Sequence, residues 1–257
     1  SNFCVVLVCC RRENSMQINY YVRTLIVSSQ PVLSSSKPLL GPVMHIGDSS
    51  AAGQPLFNAA PKYHGTIVNT VIRELLTSGF AYEKYTVYSN GGGKIQDFSN
   101  DPLELDVTNG GGKTRAEALS EDPSLIVFIT GGNDLGIFQP DLFSTDLHDH
   151  IEAFLGVNGH PPTNVQHVII TTTTSSSLAA SDNLLAMREI MLELPNWWDA
   201  VYTNMQGKVH VVDTWQLFGG ANVDQSLFNL RDHVHPSSAG DIVYGKAIAE
   251  KIMQLTH

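Results

Sequence analysis

Beyond residue 10 the 257-residue chain contains no cysteine; its three, Cys4, Cys9 and Cys10, all lie at the start. The rest of the protein therefore has no disulfide framework, no cysteine metal site and no thiol nucleophile. Basic residues are also scarce, with 15 Lys and Arg against 25 Asp and Glu and a net charge of -10. A nucleic-acid partner is disfavoured, because binding phosphates requires a basic surface. Long apolar runs are missing too. The run Phe3 to Cys10 is eight residues, whereas a membrane-spanning helix needs roughly 20. No His-Glu-x-x-His occurs, which removes the usual support for a zinc hydrolase.

What is present is a globular composition, 42% hydrophobic and 16% charged, in a chain long enough for one domain with a sizeable core. Arg11 and Arg12 follow the first apolar run, the reverse of the order in a signal peptide. No intact signal peptide is visible, and the composition is compatible with an extracytoplasmic location. Tyr20 to Val27 reads as a strand, and Ser28 to Pro38 reads as a linker rich in Ser and Pro. We expect residues 1–40 to form an extension outside a catalytic domain spanning 41–257.

From Pro42 onward strands alternate with helices. Val43 to Ile46 is a short apolar strand ending at Gly47. His64 to Leu76 carries Ile67, Val68, Val71, Ile72, Leu75 and Leu76 at helical spacing, with Gly79 after it. Further strands are predicted at Tyr85 to Tyr88, Ser124 to Thr130, Val165 to Thr171 and Lys208 to Val212. Helices are predicted at Asn183 to Leu194 and Ala239 to Leu255, the latter capped by Ser237 or Ser238. Five strands separated by helices imply an α/β fold, a five-stranded parallel sheet flanked by helices, with its ligand site beyond the carboxyl ends of the strands.

The chemically notable residues fall at such ends: Ser49 in Gly47-Asp48-Ser49, the glycines 91–93, and Asn133 in Gly131-Gly132-Asn133-Asp134. Each motif taken alone is turn-like. Asp232-His233-Val234-His235, just before the last helix, adds a carboxylate and a base. A serine hydroxyl needs a base to take its proton, and that base needs a carboxylate to fix its tautomer. On a tight loop, Asp232 can reach back to the Nδ1 of His235 and leave Nε2 for Ser49. Backbone N–H groups of Ser49 and a glycine, with the Asn133 amide, can supply an oxyanion hole.

In order and placement, Gly47-Asp48-Ser49, the glycine turn after the second strand, Gly131-x-Asn133-Asp134 and Asp232-x-x-His235-Pro236 resemble the SGNH (GDSL) hydrolase superfamily. The resemblance covers roughly residues 42–255. It implies a three-layer flavodoxin-like fold, a nucleophile at Ser49, oxyanion donors from Ser49, a glycine and Asn133, the pair Asp232 and His235, and no cofactor. Gly93 is preferred as the glycine donor over Gly92 and Gly91, and the copy at Gly110 to Gly112 is a poorer candidate. His233, next to Asp232, is a competing base, but we favour His235.

The resemblance also implies an ester substrate, either a small molecule or a polysaccharide. Ser-Ser-Ala after Gly-Asp, and Asp-x-x-His-Pro-Ser before the helix, look similar to carbohydrate acetylesterases. The alternatives are a general short-chain carboxylesterase or lipase, and an inert carbohydrate-binding protein on the same fold. The repeated Asn-Gly-Gly-Gly-Lys at 90–94 and 109–113 looks like a phosphate loop at its second copy, but a glycine-rich surface turn is the better reading. Val107 stands where that motif needs its first glycine. His45 reads as a core histidine. His148, His150, His160 and His167 show no ligand spacing. Trp197-Trp198 reads either as a sugar-stacking wall or as helix-end packing, and Asp48 and Asp134 as loop-fixing residues.

Overall fold

A computed structural model describes residues 39–52, 67–89, 92–100, 103–105, 112–174, 181–229 and 234–255. Two residues of the expected extension, Leu39 and Leu40, fall in this set; the predicted strand at Tyr20 to Val27 and the linker lie outside it, as do Asp232 and His233.

In chain order the elements are β1 (Leu39–Leu40), β2 (Val43–Gly47), α1 (Ser49–Ala52), α2 (Ile67–Thr77), β3 (Ala81–Tyr82), β4 (Tyr85–Ser89) and α3 (Asp97–Asn100). There follow β5 (Leu103–Leu105), β6 (Gly112–Lys113), α4 (Arg115–Leu119), β7 (Leu125–Ile129), α5 (Pro140–Phe154) and β8 (His167–Thr171). The chain closes with α6 (Asp182–Val201), β9 (Val209–Val212), α7 (Thr214–Leu217) and α8 (Ser238–Gln254). The main sheet runs β6-β5-β4-β2-β7-β8-β9, and β1 pairs with β3 separately. The five strands β4, β2, β7, β8 and β9 are mutually parallel. They are the five expected from sequence. Two short antiparallel strands, β5 and β6, extend one edge.

Numbered by their own chain order, the parallel strands run 2-1-3-4-5. That order reverses between β2 and β7, which creates a crevice beyond their carboxyl ends. Strands buried on both faces need apolar residues in both directions, and β2, β7 and β8 supply them. Met44, Ile46, Ile126, Phe128, Val168 and Ile170 pack with α5 and α6. Val43, Val127, Ile129 and Ile169 pack with α2 and α8 on the other face. Each fully buried side chain of this kind contributes roughly 1.5–3 kcal/mol, so the two cores fix the crevice firmly.

Several helix signals act as read. The Ser237 side chain accepts the Gly240 N–H at 3.2 Å and so caps α8. Ser181 caps α6 in the same way. Helix α6 continues to Val201, past the expected end at Leu194 and through Pro195. Its far end is secured by the buried Trp198, whose indole N–H donates to the Met205 carbonyl at 2.8 Å. Helix α5 is an addition to the elements expected from sequence. Its core face, Phe143, Leu147, Ile151 and Phe154, is interleaved with Asp and His, and His150 itself is buried. At the added edge, Glu121 accepts from Lys84, Lys113 and the Tyr88 hydroxyl, which ties β4 and β6 to the turn after α4.

Candidate active site

β2 ends at Gly47 for a steric reason. A Cβ there would stand 2.4 Å from the Ile129 carbonyl oxygen and 2.8 Å from the Ala51 Cβ. Only glycine lets β2 and β7 run side by side to their ends while α1 begins directly afterwards. The Asp48 N–H continues the ladder to the Ile129 carbonyl at 3.0 Å. Ser49 is thereby set at the start of α1, buried, beside the point where strand order reverses.

His235, the expected base, comes from the far end of the chain. Residues 227–229 and 235–237 lie against each other. The Asn229 N–H donates to His235 at 2.8 Å, the Ser237 N–H donates to Leu227 at 2.8 Å, and Phe228 bridges Pro236. This local pairing presents the half-exposed His235 ring toward β2, with its Nε2 2.7 Å from the Ser49 Oγ. Asp232 and the competing His233 lie outside the described residues.

The third loop follows β7. Gly131 has φ +101 and no room for a side chain, since a Cβ would meet the Thr173 Oγ1 at 2.3 Å. The turn it makes carries Asn133, whose Nδ2 donates to the Gly93 carbonyl at 3.0 Å. Of the glycines considered, Gly93 is the one against Asn133. Gly92 is exposed with φ +83, Gly91, Gly110 and Gly111 lie outside the described residues, and Gly112 belongs to β6. Ser49, Gly93 and Asn133 thus stand at the ends of neighbouring parallel strands, on separate loops.

Asp48 and Asp134 lie beneath these loops, both buried. Asp48 Oδ1 accepts the Ser50 N–H at 2.8 Å. Both Asp134 oxygens accept the Ile95 N–H, at 3.2 and 3.1 Å. Burial pushes the Asp48 carboxyl up to about 6, opposed by hydrogen bonds from Ser50 and Gly132 and by the charge of His235. Burial likewise raises Asp134 to about 6, the Ile95 N–H opposing it and the charge of Asp48 adding to it. Ile95 had no signal in the sequence, because its contribution is a backbone N–H that any residue type would supply.

The remaining candidates take structural positions. His45 is buried in β2 with its Nε2 2.6 Å from the Tyr85 hydroxyl, while its Nδ1 has no hydrogen-bond partner among the described residues. Burial lowers it to about 3, so it stays neutral. His150 sits between Arg115 and the Ile95 carbonyl. His160 reaches Asp149, and His167 pairs with His210. Trp197 stacks on His148 with centroids 3.7 Å apart, and Trp198 stacks on Tyr202 at 4.2 Å. That aromatic group is at the end of α6, which leads into the amino end of β9. It therefore lies across the sheet from Ser49 and packs a helix end. Among the described residues no cluster of three or more His, Cys, Asp or Glu could hold a metal, and no helix is long and apolar enough to cross a membrane.

No protein-family model matches the chain, and no curated protein matches it in sequence. Solved structures do match in fold, esterases and lipases among them. A carbohydrate esterase family 3 protein from Talaromyces cellulolyticus superposes with a TM-score of 0.56 at 17% identity, over 84% of this chain and 98% of that one. A catalytic mutant of an acetylxylan esterase from Geobacillus stearothermophilus gives 0.54 at 17% identity, over 82% and 93%. A lipase from a goat rumen metagenome gives 0.57 at 16% identity, over 81% and 96%. The chain has the α/β fold of these esterases and lipase.

Proposed function

We propose that the protein is a serine esterase acting on small acyl esters, with residues 41–257 as its hydrolase domain. The observation that carries this reading is the 2.7 Å approach of His235 Nε2 to the Ser49 hydroxyl, at the crevice where such sheets bind ligands. Ser49 Oγ attacks the acyl carbon while its proton passes to His235 Nε2. The carbonyl oxygen takes up the negative charge. Donors at Ser49, Gly93 and Asn133 stabilise it, and Asp232 orients the imidazolium. Collapse expels the alcohol, which leaves with the proton from His235. Water then repeats the sequence on the acyl-enzyme and releases the acid.

Within this reading we favour acetyl groups on carbohydrate as the substrate. The Ser-Ser-Ala and Asp-x-x-His-Pro-Ser motifs support it, as do fold neighbours that are a family 3 carbohydrate esterase and an acetylxylan esterase. The lipase among the neighbours supports the second reading, a general short-chain esterase or lipase. Turnover of p-nitrophenyl acetate should fall by about 10^4-fold or more in Ser49→Ala; near-wild-type turnover would sink the assignment. Acetate release from acetylated xylan, set against hydrolysis of p-nitrophenyl octanoate, separates the two substrate readings.

A further inference from the structure

Two buried carboxylates at one site are an expensive feature, because burial opposes the ionisation of both, the charge of Asp48 adds to the cost at Asp134, and neither is neutralised by a lysine or arginine salt bridge among the described residues. An apolar pair would avoid that cost but would leave the backbone N–H groups of Ser50, Gly132 and Ile95 without these acceptors, so the carboxylates call for a role tied to those groups. The contacts point to one. Asp48 belongs to the loop of the nucleophile, accepts the Ser50 N–H at 2.8 Å within that loop, and accepts from the Gly132 backbone in the loop of Asn133. Asp134 belongs to the Asn133 loop and accepts the Ile95 N–H in the loop of Gly93. Asn133 itself donates to the Gly93 carbonyl at 3.0 Å. Each carboxylate thus spans a different pair of loops, and together they connect all three.

We propose that Asp48 and Asp134 are positioning residues that clamp the loops of Ser49, Gly93 and Asn133 into one rigid oxyanion site. This rests on the esterase reading for its catalytic consequence, but the clamp itself is a property of the fold. Backbone amides are the donors being held, and carboxylates are the strongest acceptors a side chain can offer them. A displacement of about 1 Å in an oxyanion donor weakens transition-state binding far more than ground-state binding. The clamp should therefore act on kcat and leave KM largely alone.

The groups facing the pair also define how it responds to pH. Asp48 faces His235 and Tyr244, and Asp134 faces Asp48, Asp97 and Lys94. Burial pushes both carboxyls up to about 6. A protonated carboxyl is a weaker acceptor, so the clamp loosens as pH falls through that range.

The test combines kinetics with amide spectroscopy on the full chain. In Asp134→Ala, kcat for p-nitrophenyl acetate should drop by about 10^2-fold with KM changed by less than about threefold. The Ile95 amide should lose its protection from hydrogen exchange. Asp134→Asn keeps an acceptor oxygen, so it should recover most of both. Asp48→Ala should do the same to kcat while exposing the Ser50 and Gly132 amides. In the wild type, the Ile95 amide resonance should shift between about pH 4.5 and 7.5 as its acceptor titrates. An unchanged kcat in the folded alanine variants, intact Ile95 protection in Asp134→Ala, or a flat Ile95 titration would each overturn the clamp. The amide measurements need no substrate, so they decide this question even if Ser49→Ala shows the esterase reading to be wrong.

Discussion

The Nε2 of His235 stands 2.7 Å from the Ser49 hydroxyl, although 186 positions separate the two residues in the chain. Neither side chain reaches far. The contact exists because β2 and the segment before α8 both finish at the same edge of the sheet, and because 235–237 is braced against 227–229. Changing either partner should therefore disable one shared function without unfolding the domain.

His235→Gln should retain the fold and lower turnover of p-nitrophenyl acetate by about 10^4-fold, close to the loss in Ser49→Ala. The double variant should be little worse than either single one, because residues that act as a unit are not additive. Additive losses in a steady-state comparison of the three would mean that the two side chains do not work together.

Asn133→Ala removes the amide that lies against Gly93. It should lower kcat by about 10^2- to 10^3-fold with a small change in KM, as for the loss of one oxyanion donor. A rise in KM with kcat preserved would make Asn133 a substrate-binding residue instead.

Gly47→Ala places a methyl group 2.4 Å from the Ile129 carbonyl, on backbone that cannot move without breaking the β2–β7 ladder. Thermal denaturation should report a loss of about 1–3 kcal/mol. Gly92→Ala, at a site with open space around the Cβ but φ +83, should cost about 1 kcal/mol through backbone strain alone. Equal stability of the Gly47 variant and the wild type would contradict the close approach.

Asp241 is buried in the first turns of α8, and burial raises its carboxyl to about 8. An acid held above its ordinary range favours the folded state below its unfolded value, and that advantage disappears as pH rises through the folded value. The wild type should therefore lose stability between about pH 4 and 8 at this site. Asp241→Asn should shift the balance, with its Tm rising relative to wild type from pH 4 to pH 9. A Tm difference that stays constant across that range would contradict the assignment.

Much of this architecture was readable in the sequence because the relevant signals are local. The runs at 43–46 and 124–130 are largely apolar in both alternating directions, which marks strands buried on both faces, whereas those at 165–171 and 208–212 are apolar runs with polar residues near their starts. Their observed bounds differ by one or two residues, where fraying ends are set by neighbours and not by residue type. The core face of helix α5 falls at helical spacing but is interleaved with Asp and His, and His150 takes a buried position through contacts with Arg115 and the Ile95 carbonyl that no local pattern reveals. The added strand β5 is three residues long, too short to carry a periodic signal.

For the site, the sequence by itself determined the chemical inventory and its order: a serine after the first strand, a glycine turn after the second, an asparagine after the third, and a histidine before the last helix. Residue type and adjacency to a strand end are local properties, so they can be read along the chain. Only the tertiary structure decided which of these groups meet. It brought Ser49 to His235, set Gly93 against Asn133, and buried Asp48 and Asp134 across the loops between them. Those contacts depend on the strand order 2-1-3-4-5. That order is fixed by long-range packing of two apolar faces rather than by any residue within the motifs.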